Sequence, residues 1–212
     1  MRMDLARALA NTLPRRLPNL FNPYADRCAH DLISNTPDRK LSRLAQHLDC
    51  DAQIILVAEA PGYQGARHTG LALSSERLLM EGAIPRVDRE KGRITDRRLP
   101  FSEPSATICW KQLYALGLAE STILWNAVQM HPHPIDNVWA NRTPTDAELA
   151  HGAAALRLLA EAFPRAKFLA VGRKSEQAMA AVGIAAHAAI RHPANGGATL
   201  FAEGLAQARS AN

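Results

Sequence analysis

Three short segments of this chain carry residue types that could do chemistry. Glu59-Ala60-Pro61-Gly62-Tyr63-Gln64-Gly65 sets a carboxylate ahead of small residues whose backbone N–H groups are accessible. Such a loop can hold an anionic or carbonyl group closely, although glycine and proline also end strands for conformational reasons alone. Asn126 follows the apolar run Ile123-Leu124-Trp125. A carboxamide there donates and accepts side by side, which suits the edge of a nucleobase, and it equally suits a turn or cap. His192-Pro193-Ala194-Asn195-Gly196-Gly197 places an imidazole before a loop with two glycines. That histidine can donate to developing negative charge, or simply precede a tight turn.

Two other patterns carry less. Gly172-Arg173-Lys174-Ser175 lacks the Gly-Lys-Ser order and upstream glycine of a phosphate-binding loop, so it reads as a helix start. His131-Pro132-His133 sits in an extended segment fixed by proline with no third ligand close in sequence, so no metal is expected.

The elements that must position these segments are legible from periodicity. Thr36 can cap a helix with Pro37 at its first position, and Leu41, Leu44, Ala45 and Leu48 then recur at helical spacing. Ile54-Ile55-Leu56-Val57 reads as a strand buried on both faces, because a one-sided strand would alternate with polar residues. Similar strands are expected at Thr122 to Val128 and Lys167 to Val171, with a shorter one from Ala188 to His192. Helices are expected at Ser105 to Leu116, Ala147 to Ala162, Ser175 to Val182 and Thr199 to Arg209, the second started by Thr143-Pro144-Thr145-Asp146. This alternation predicts an α/β fold, a three-layer α/β/α sandwich around a mainly parallel four-stranded sheet. Ligands bind such sheets at the carboxyl ends of the strands, so 58–70, 126–134 and 192–197 should converge.

With 212 residues, 47% of them hydrophobic and 21% charged, the chain has ample material for one core, and a single domain over 1–212 is expected, its first 50 residues a helical part. The 25 Lys and Arg outnumber the 20 Asp and Glu, giving +5 and a pI near 9.4, a modest field that favours polyanionic partners. Residues 86–98 carry Arg86, Arg89, Lys91, Arg93, Arg97 and Arg98 and read as an exposed charged excursion, either a solvated loop or a phosphate-contacting surface. Cys28, Cys50 and Cys109 are widely spaced without a CxxC pair, which excludes a disulfide framework and common zinc or iron-sulfur spacings. Met1 to Leu13 is too poor in consecutive apolar residues for a signal peptide, and no stretch approaches membrane-spanning length. A cytoplasmic monomer with no membrane association is expected.

Together, in this order, the segments resemble the uracil-DNA glycosylase superfamily over nearly everything from Ile54 to Phe201. Val57-Ala58-Glu59-Ala60-Pro61-Gly62 is similar to its first motif, Gly-Glu-Ala-Pro-Gly, with Ala58 for the leading Gly. Thr69-Gly70 and Ser74-Ser75-Glu76 continue it in the manner of the bacterial branch related to the iron-sulfur type. Trp125-Asn126-Ala127-Val128, followed by His131-Pro132-His133 and Asn141-Arg142-Thr143-Pro144-Thr145, resembles the base-recognition strand and its trailing loop. Arg191-His192-Pro193-Ala194-Asn195 is similar to the second catalytic motif.

The resemblance implies hydrolysis of the N-glycosidic bond of uracil, or a related deaminated base, in DNA. Breaking that bond builds positive charge on the sugar and negative charge on the base, so the site needs a carboxylate near the sugar and donors near the base. Glu59 would supply the first, with Glu76 as second candidate, and His192 the donor. Asn126 would read the base edge, with Ala60, Pro61, Gly62, Tyr63 and Leu73 lining the pocket. The base must leave the helix, which needs a wedge, implied at Ala194, Asn195, Gly196 and Gly197. Arg67, Arg142 and Arg191 would contact phosphates.

The chain departs from the family in three ways. Where relatives have Pro-Phe two residues after Thr-Gly, it has Ala72-Leu73, so stacking would be weaker or come from another ring such as Tyr63. It cannot supply four cluster cysteines, so no cofactor is expected. An Asp of the most active branch is Ala60 here, and an acid further along the loop in some relatives is Gly65-Ala66. These losses leave open a catalytically weak or inactive DNA-binding protein, or a hydrolase of free nucleosides or nucleotides.

Overall fold

The computed structural model describes residues 1–210; 211 and 212, the end of the expected domain, lie outside the described residues. In chain order the elements are α1 (Met3–Asn11), β1 (Leu20–Phe21), α2 (Pro37–His47), β2 (Ile54–Ala58), α3 (Ala66–Thr69), α4 (Glu76–Glu81) and α5 (Pro104–Ala115). Then follow β3 (Thr122–Asn126), β4 (His131–Pro132), α6 (Asp146–Ala150), α7 (Ala153–Ala162), β5 (Lys167–Val171), α8 (Arg173–Ala180), β6 (Ala188–Ile190) and α9 (Ala198–Ser210). Four parallel strands in the order β3-β2-β5-β6 form a sheet flanked by helices, the three-layer α/β arrangement that the alternation implies.

The sheet is central because β2 and β3 have nothing to show water. Every residue of β2 and β3 is buried, and β2 pairs in register with β3 on one side and β5 on the other. The pairing Ala58↔Asn126 brings the carboxyl ends of β2 and β3 level. Beyond it the Ala127 N–H donates to the Ala58 carbonyl at 2.7 Å, so the two following loops leave side by side. One apolar core runs from Ala6 in α1 to Ala208 in α9.

Local signals explain most boundaries. The Thr36 hydroxyl accepts from the Arg39 N–H with Pro37 at the first position of α2, and Thr145 with Glu148 forms a reciprocal capping box at α6. The helix expected over 147–162 is two helices, broken at His151 and Gly152. A Cβ on Gly152 would lie 1.6 Å from the Ala127 carbonyl oxygen, so the chain touches the loop after β3 at a point where only glycine fits. The N-terminal part is helical only in α1 and α2; between them, β1 pairs antiparallel with β4. Among the described residues no helix is long and apolar enough to cross a membrane.

Residues 86–98 depart from the expected exposed excursion. Arg89, Lys91, Arg97 and Arg98 are exposed, but Val87, Ile94 and Thr95 are buried. Arg86 donates to the carbonyls of Glu120 at 2.6 Å and Thr122 at 3.1 Å. Arg93 turns inward to Glu76.

That contact corrects the second catalytic candidate. Glu76 is fully buried, with both carboxylate oxygens occupied by Arg93 Nε at 2.8 Å, the Thr95 hydroxyl at 2.7 Å and the N–H groups of Ile94, Thr95 and Phe101. Burial alone would raise the carboxyl, but Arg93, Thr95 and the backbone donors bring it down to about 2. No lone pair remains for water or substrate. Glu76 anchors the long segment between α4 and α5.

A carboxyl whose folded pKa lies below its ordinary 4.5 stabilises the fold above that value and loses the contribution as pH falls toward about 2. Glu76→Gln is therefore expected to cost roughly 3 kcal/mol at pH 7, a gap that narrows between pH 4.5 and 2. Urea midpoints across that range check it, and a variant as stable as wild type at pH 7 would contradict the anchoring role.

Candidate active site

The segments after β2, β4 and β6 meet in a cleft at the carboxyl end of the sheet, whereas residues 126–134, expected there, line none of it. It comprises two adjoining hollows of about 590 and 450 Å³ that share Ala60, Gly62, Asn141, His192, Ala194 and Asn195 as lining. Glu59, Pro61, Arg142 and Thr143 complete the smaller one, and Gln64, Glu103 and Ile108 line the larger. A separate groove between α6, α7 and α8 contains none of these residues.

His192 follows β6 and is held by its own turn. The Ala194 N–H donates to Nδ1 at 3.1 Å, so Nδ1 is the acceptor and the proton of a neutral ring sits on Nε2. Burial, and then the neighbouring Arg191 cation, lower its pKa and favour that neutral form. Nε2 has no partner among the described residues, which leaves a neutral N–H donor for the cleft. The turn is tight: a Cβ on Gly197 would lie 2.1 Å from the His192 carbonyl oxygen, and Asn195 and Gly196 take left-handed φ of 52° and 75°. Asn195 and Gly196 are exposed at its tip, and Arg191 beside it is exposed without a side-chain partner among the described residues.

Glu59 leaves the end of β2, where its carbonyl accepts from the Val128 N–H at 3.3 Å. Its carboxylate makes no hydrogen bond among the described residues; burial raises its pKa and the Lys174 ammonium opposes that rise. Pairing with Asp146 at 2.6 Å keeps Lys174 from forming a salt bridge with it.

Asn141 is a site residue that the motif reading placed only in a trailing loop. Its amide is oriented by a relay. Arg67 Nη1 donates to His131 Nδ1 at 2.8 Å, so His131 Nε2 carries the proton and gives it to Asn141 Oδ1 at 3.1 Å. The Tyr63 N–H donates to the same Oδ1 at 2.8 Å. With the oxygen doubly engaged, the Asn141 amino group is the end left for the cleft, 3.5 Å from where a Gly62 Cβ would stand. Burial, then Arg67 and His133, press the His131 pKa down to about 3, which keeps the relay neutral at that ring.

Several expected site residues are elsewhere. Asn126 is buried, its Nδ2 donating to Gln129 Oε1 at 2.7 Å, and it lines neither hollow. Leu73 is a core residue, its carbonyl accepting from Trp110 Nε1 at 2.9 Å. Tyr63 turns to a separate small hollow with His30, Arg97, Phe101 and Trp139. Arg67 is buried over the Phe21 ring at 4.0 Å and cannot meet a phosphate. Arg142 does line the smaller hollow, but its guanidinium is spent on Glu148, with Nη1 to Oε2 at 2.7 Å, and on the carbonyls of His133 and Asn19. In sequence each of these looks like a surface or pocket residue, because a short motif does not reveal which way a side chain turns.

Pro100-Phe101 lies beyond the charged segment, just ahead of α5. Phe101 stacks on His68 at 4.3 Å, and Arg97 covers its ring at 4.3 Å. Two residues on, Glu103 turns its side chain away from the helix it precedes and fills the space beside Gly65: a Cβ there would lie 1.8 Å from Glu103 Oε2 and 2.6 Å from the Ser74 carbonyl oxygen. Gly65, read as a bare backbone donor, is glycine because an acid from another segment occupies its side-chain position. Gly65→Ala is expected to cost about 2 kcal/mol through overpacking, and adding Glu103→Ala should recover part of it. Fully additive losses in denaturant titrations would show that the two positions do not compete for space.

No family model and no curated protein matches the sequence. Among solved structures the chain is similar to SMUG2 of Pedobacter heparinus, a member of the uracil-DNA glycosylase superfamily. The likeness covers 99% of this chain and 95% of that one, with a TM-score of 0.65 at 13% identity. At that identity it shows a shared fold.

Proposed function

We propose that this chain, which has the fold of a DNA glycosylase, hydrolyses the N-glycosidic bond of uracil or a related deaminated base in DNA. The observation that carries the reading is one cleft, at the carboxyl ends of the strands, that holds a neutral N–H donor on His192 and the unpartnered carboxylate of Glu59.

The chemistry divides between them. As the C–N bond lengthens, negative charge develops on the base and meets His192 Nε2–H, an oriented dipole in a partly dehydrated site. Positive charge on the sugar is met by Glu59, which also takes the proton of the water that adds to the sugar carbon. The Asn141 amino group donates to a carbonyl oxygen of the extruded base, replacing Asn126 in that role. Ala60, Pro61 and Gly62 leave room for a planar ring between these groups. The exposed tip at Asn195 and Gly196 is the wedge that fills the vacated stack, and Arg191 beside it meets the backbone.

Base release from oligonucleotides carrying uracil, hypoxanthine, xanthine or a thymine mismatch tests the reading. Under single-turnover conditions His192→Ala and Glu59→Gln should each slow release by about a hundredfold, and Asn141→Ala by about tenfold. Wild-type protein that binds DNA but releases no base at stoichiometric amounts would favour a purely DNA-binding protein.

Phosphate contacts are read separately from the salt dependence of binding. Arg191→Gln should reduce the slope of log K against log salt by about 0.9. Arg67→Gln and Arg142→Gln should lower thermal stability, and a slope change from either would return those side chains to the DNA surface.

A further inference from the structure

The reaction described above uses one carboxyl, yet the cleft contains two. Glu103 stands just ahead of α5, in the position of a helix cap, but its side chain makes no capping bond. It lies instead against Gly65, 3.5 Å from where a Gly62 Cβ would be, and lines the larger hollow with Ala60, Gln64 and His192. Neither carboxyl oxygen has a hydrogen-bond donor among the described residues. That is the opposite of Glu76, whose oxygens receive an arginine, a hydroxyl and three backbone donors.

We propose that Glu103 is a substrate-binding residue of this cleft, whose acid O–H donates to a carbonyl oxygen of the extruded base while its C=O accepts from the adjacent ring N–H. A neutral carboxyl presents donor and acceptor side by side, as an amide does, and so matches the lactam edge shared by uracil, hypoxanthine and xanthine. Cytosine, with an amino group and an unprotonated ring nitrogen at that edge, presents the reverse order. The inference rests on the glycosylase reading for its substrate, and on the geometry of Gly65 and the larger hollow for its site.

The surroundings keep the acid form at neutral pH. On the same helix Cys109 is buried and neutral, its thiol pushed up by burial and by Glu103 itself. On α4, Arg77 is held by Ser102 Oγ at 3.1 Å, Thr107 Oγ1 at 2.9 Å and Glu81. Across the cleft His192 is neutral, and Glu59 is an acid like Glu103. None of them pairs with Glu103, and burial raises its pKa to about 8. A donor lost above its folded pKa gives a contact present below pH 8 and absent above it.

The test compares wild type, Glu103→Gln and Glu103→Ala between pH 6.5 and 9.0, with thermal unfolding as the check on folding. In single-turnover release of uracil, wild type should slow about tenfold at pH 9.0, where about one carboxyl in eleven keeps its proton. Glu103→Gln, which keeps a donor and an acceptor, should work across the range without that decline, and Glu103→Ala should be at least tenfold slower than wild type at pH 6.5. Calorimetric titration with free uracil reads the same contact without turnover. Wild-type binding should weaken about tenfold between the two pH values, and Glu103→Gln binding should not. Protein that binds uracil in this way but releases none from DNA would sink the glycosylase reading and keep the contact. Uracil binding that is absent, that ignores pH, or whose alkaline loss persists in Glu103→Gln overturns the proposal.

Discussion

The buried carboxylate of Asp31 is the contact on which the cleft wall depends. Its oxygens receive the Lys40 ammonium at 2.6 Å, His68 Nδ1 at 2.9 Å, Asn35 Nδ2 at 3.0 Å and the Cys28 N–H at 3.2 Å. Burial alone would push its pKa up, but His68 and Lys40 together hold it below the usual range. Removing one partner of such a pair typically costs about 3–5 kcal/mol, because the other charge is left uncompensated in the interior. The same Lys40 donates to the Arg67 carbonyl at 3.0 Å, which fixes α3, and Arg67 then orients His131 and through it Asn141. A chain of specific contacts thus runs from an ion pair in the N-terminal part to the amide that faces the cleft. Cys28, Asp31 and His68 also lie close enough to suggest a metal, but the Lys40 ammonium already neutralises the only carboxylate among them.

Two kinds of feature were legible in the sequence, for one physical reason. Ile54 to Val57 and Phe168 to Val171 are apolar along their whole length, and continuous burial leaves the central parallel strand as the solution for such a run. Thr36-Pro37 and Thr145 with Glu148 announce helix starts because their side chains satisfy backbone donors a few residues away. These are local or periodic constraints, and short windows contain them. His192 belongs with them, since its acceptor bond from Ala194 spans only two residues.

What escaped the sequence depends on contacts between distant segments. Arg67 and Arg142 look like phosphate ligands in sequence, yet His131 and Glu148 claim their guanidinium groups. Asn126 stands at a strand end as expected, and Gln129 three residues later claims its amide. Glu103 and Gly65 are an acid and a glycine far apart in sequence, and only the fold reveals that one fills the space the other leaves. Leu73 follows Thr69-Gly70 in sequence as a pocket residue would, and only its packing in the core shows that it lies away from the cleft.

The electrostatics of the cleft follow from where its cations are spent. The chain carries +5, but Lys40, Arg43, Arg67, Arg93 and Arg142 are engaged with internal partners, and none of them lines the larger hollow. Exposed positive charge outside the larger hollow includes Arg191 beside the turn after β6, and Arg97 and Arg98 in the segment before α5. A polyanion is therefore attracted by charge outside the larger hollow, whereas a group inside the cleft meets the neutral dipoles of His192 and Asn141 beside the carboxyl of Glu59, with Arg142 already paired to Glu148. Such donors interact most strongly with charge that develops during bond breaking, and hold a neutral base only modestly before it leaves. In the proposed reaction, a fixed cation in the same place would bind the expelled base as an ion pair and delay its release.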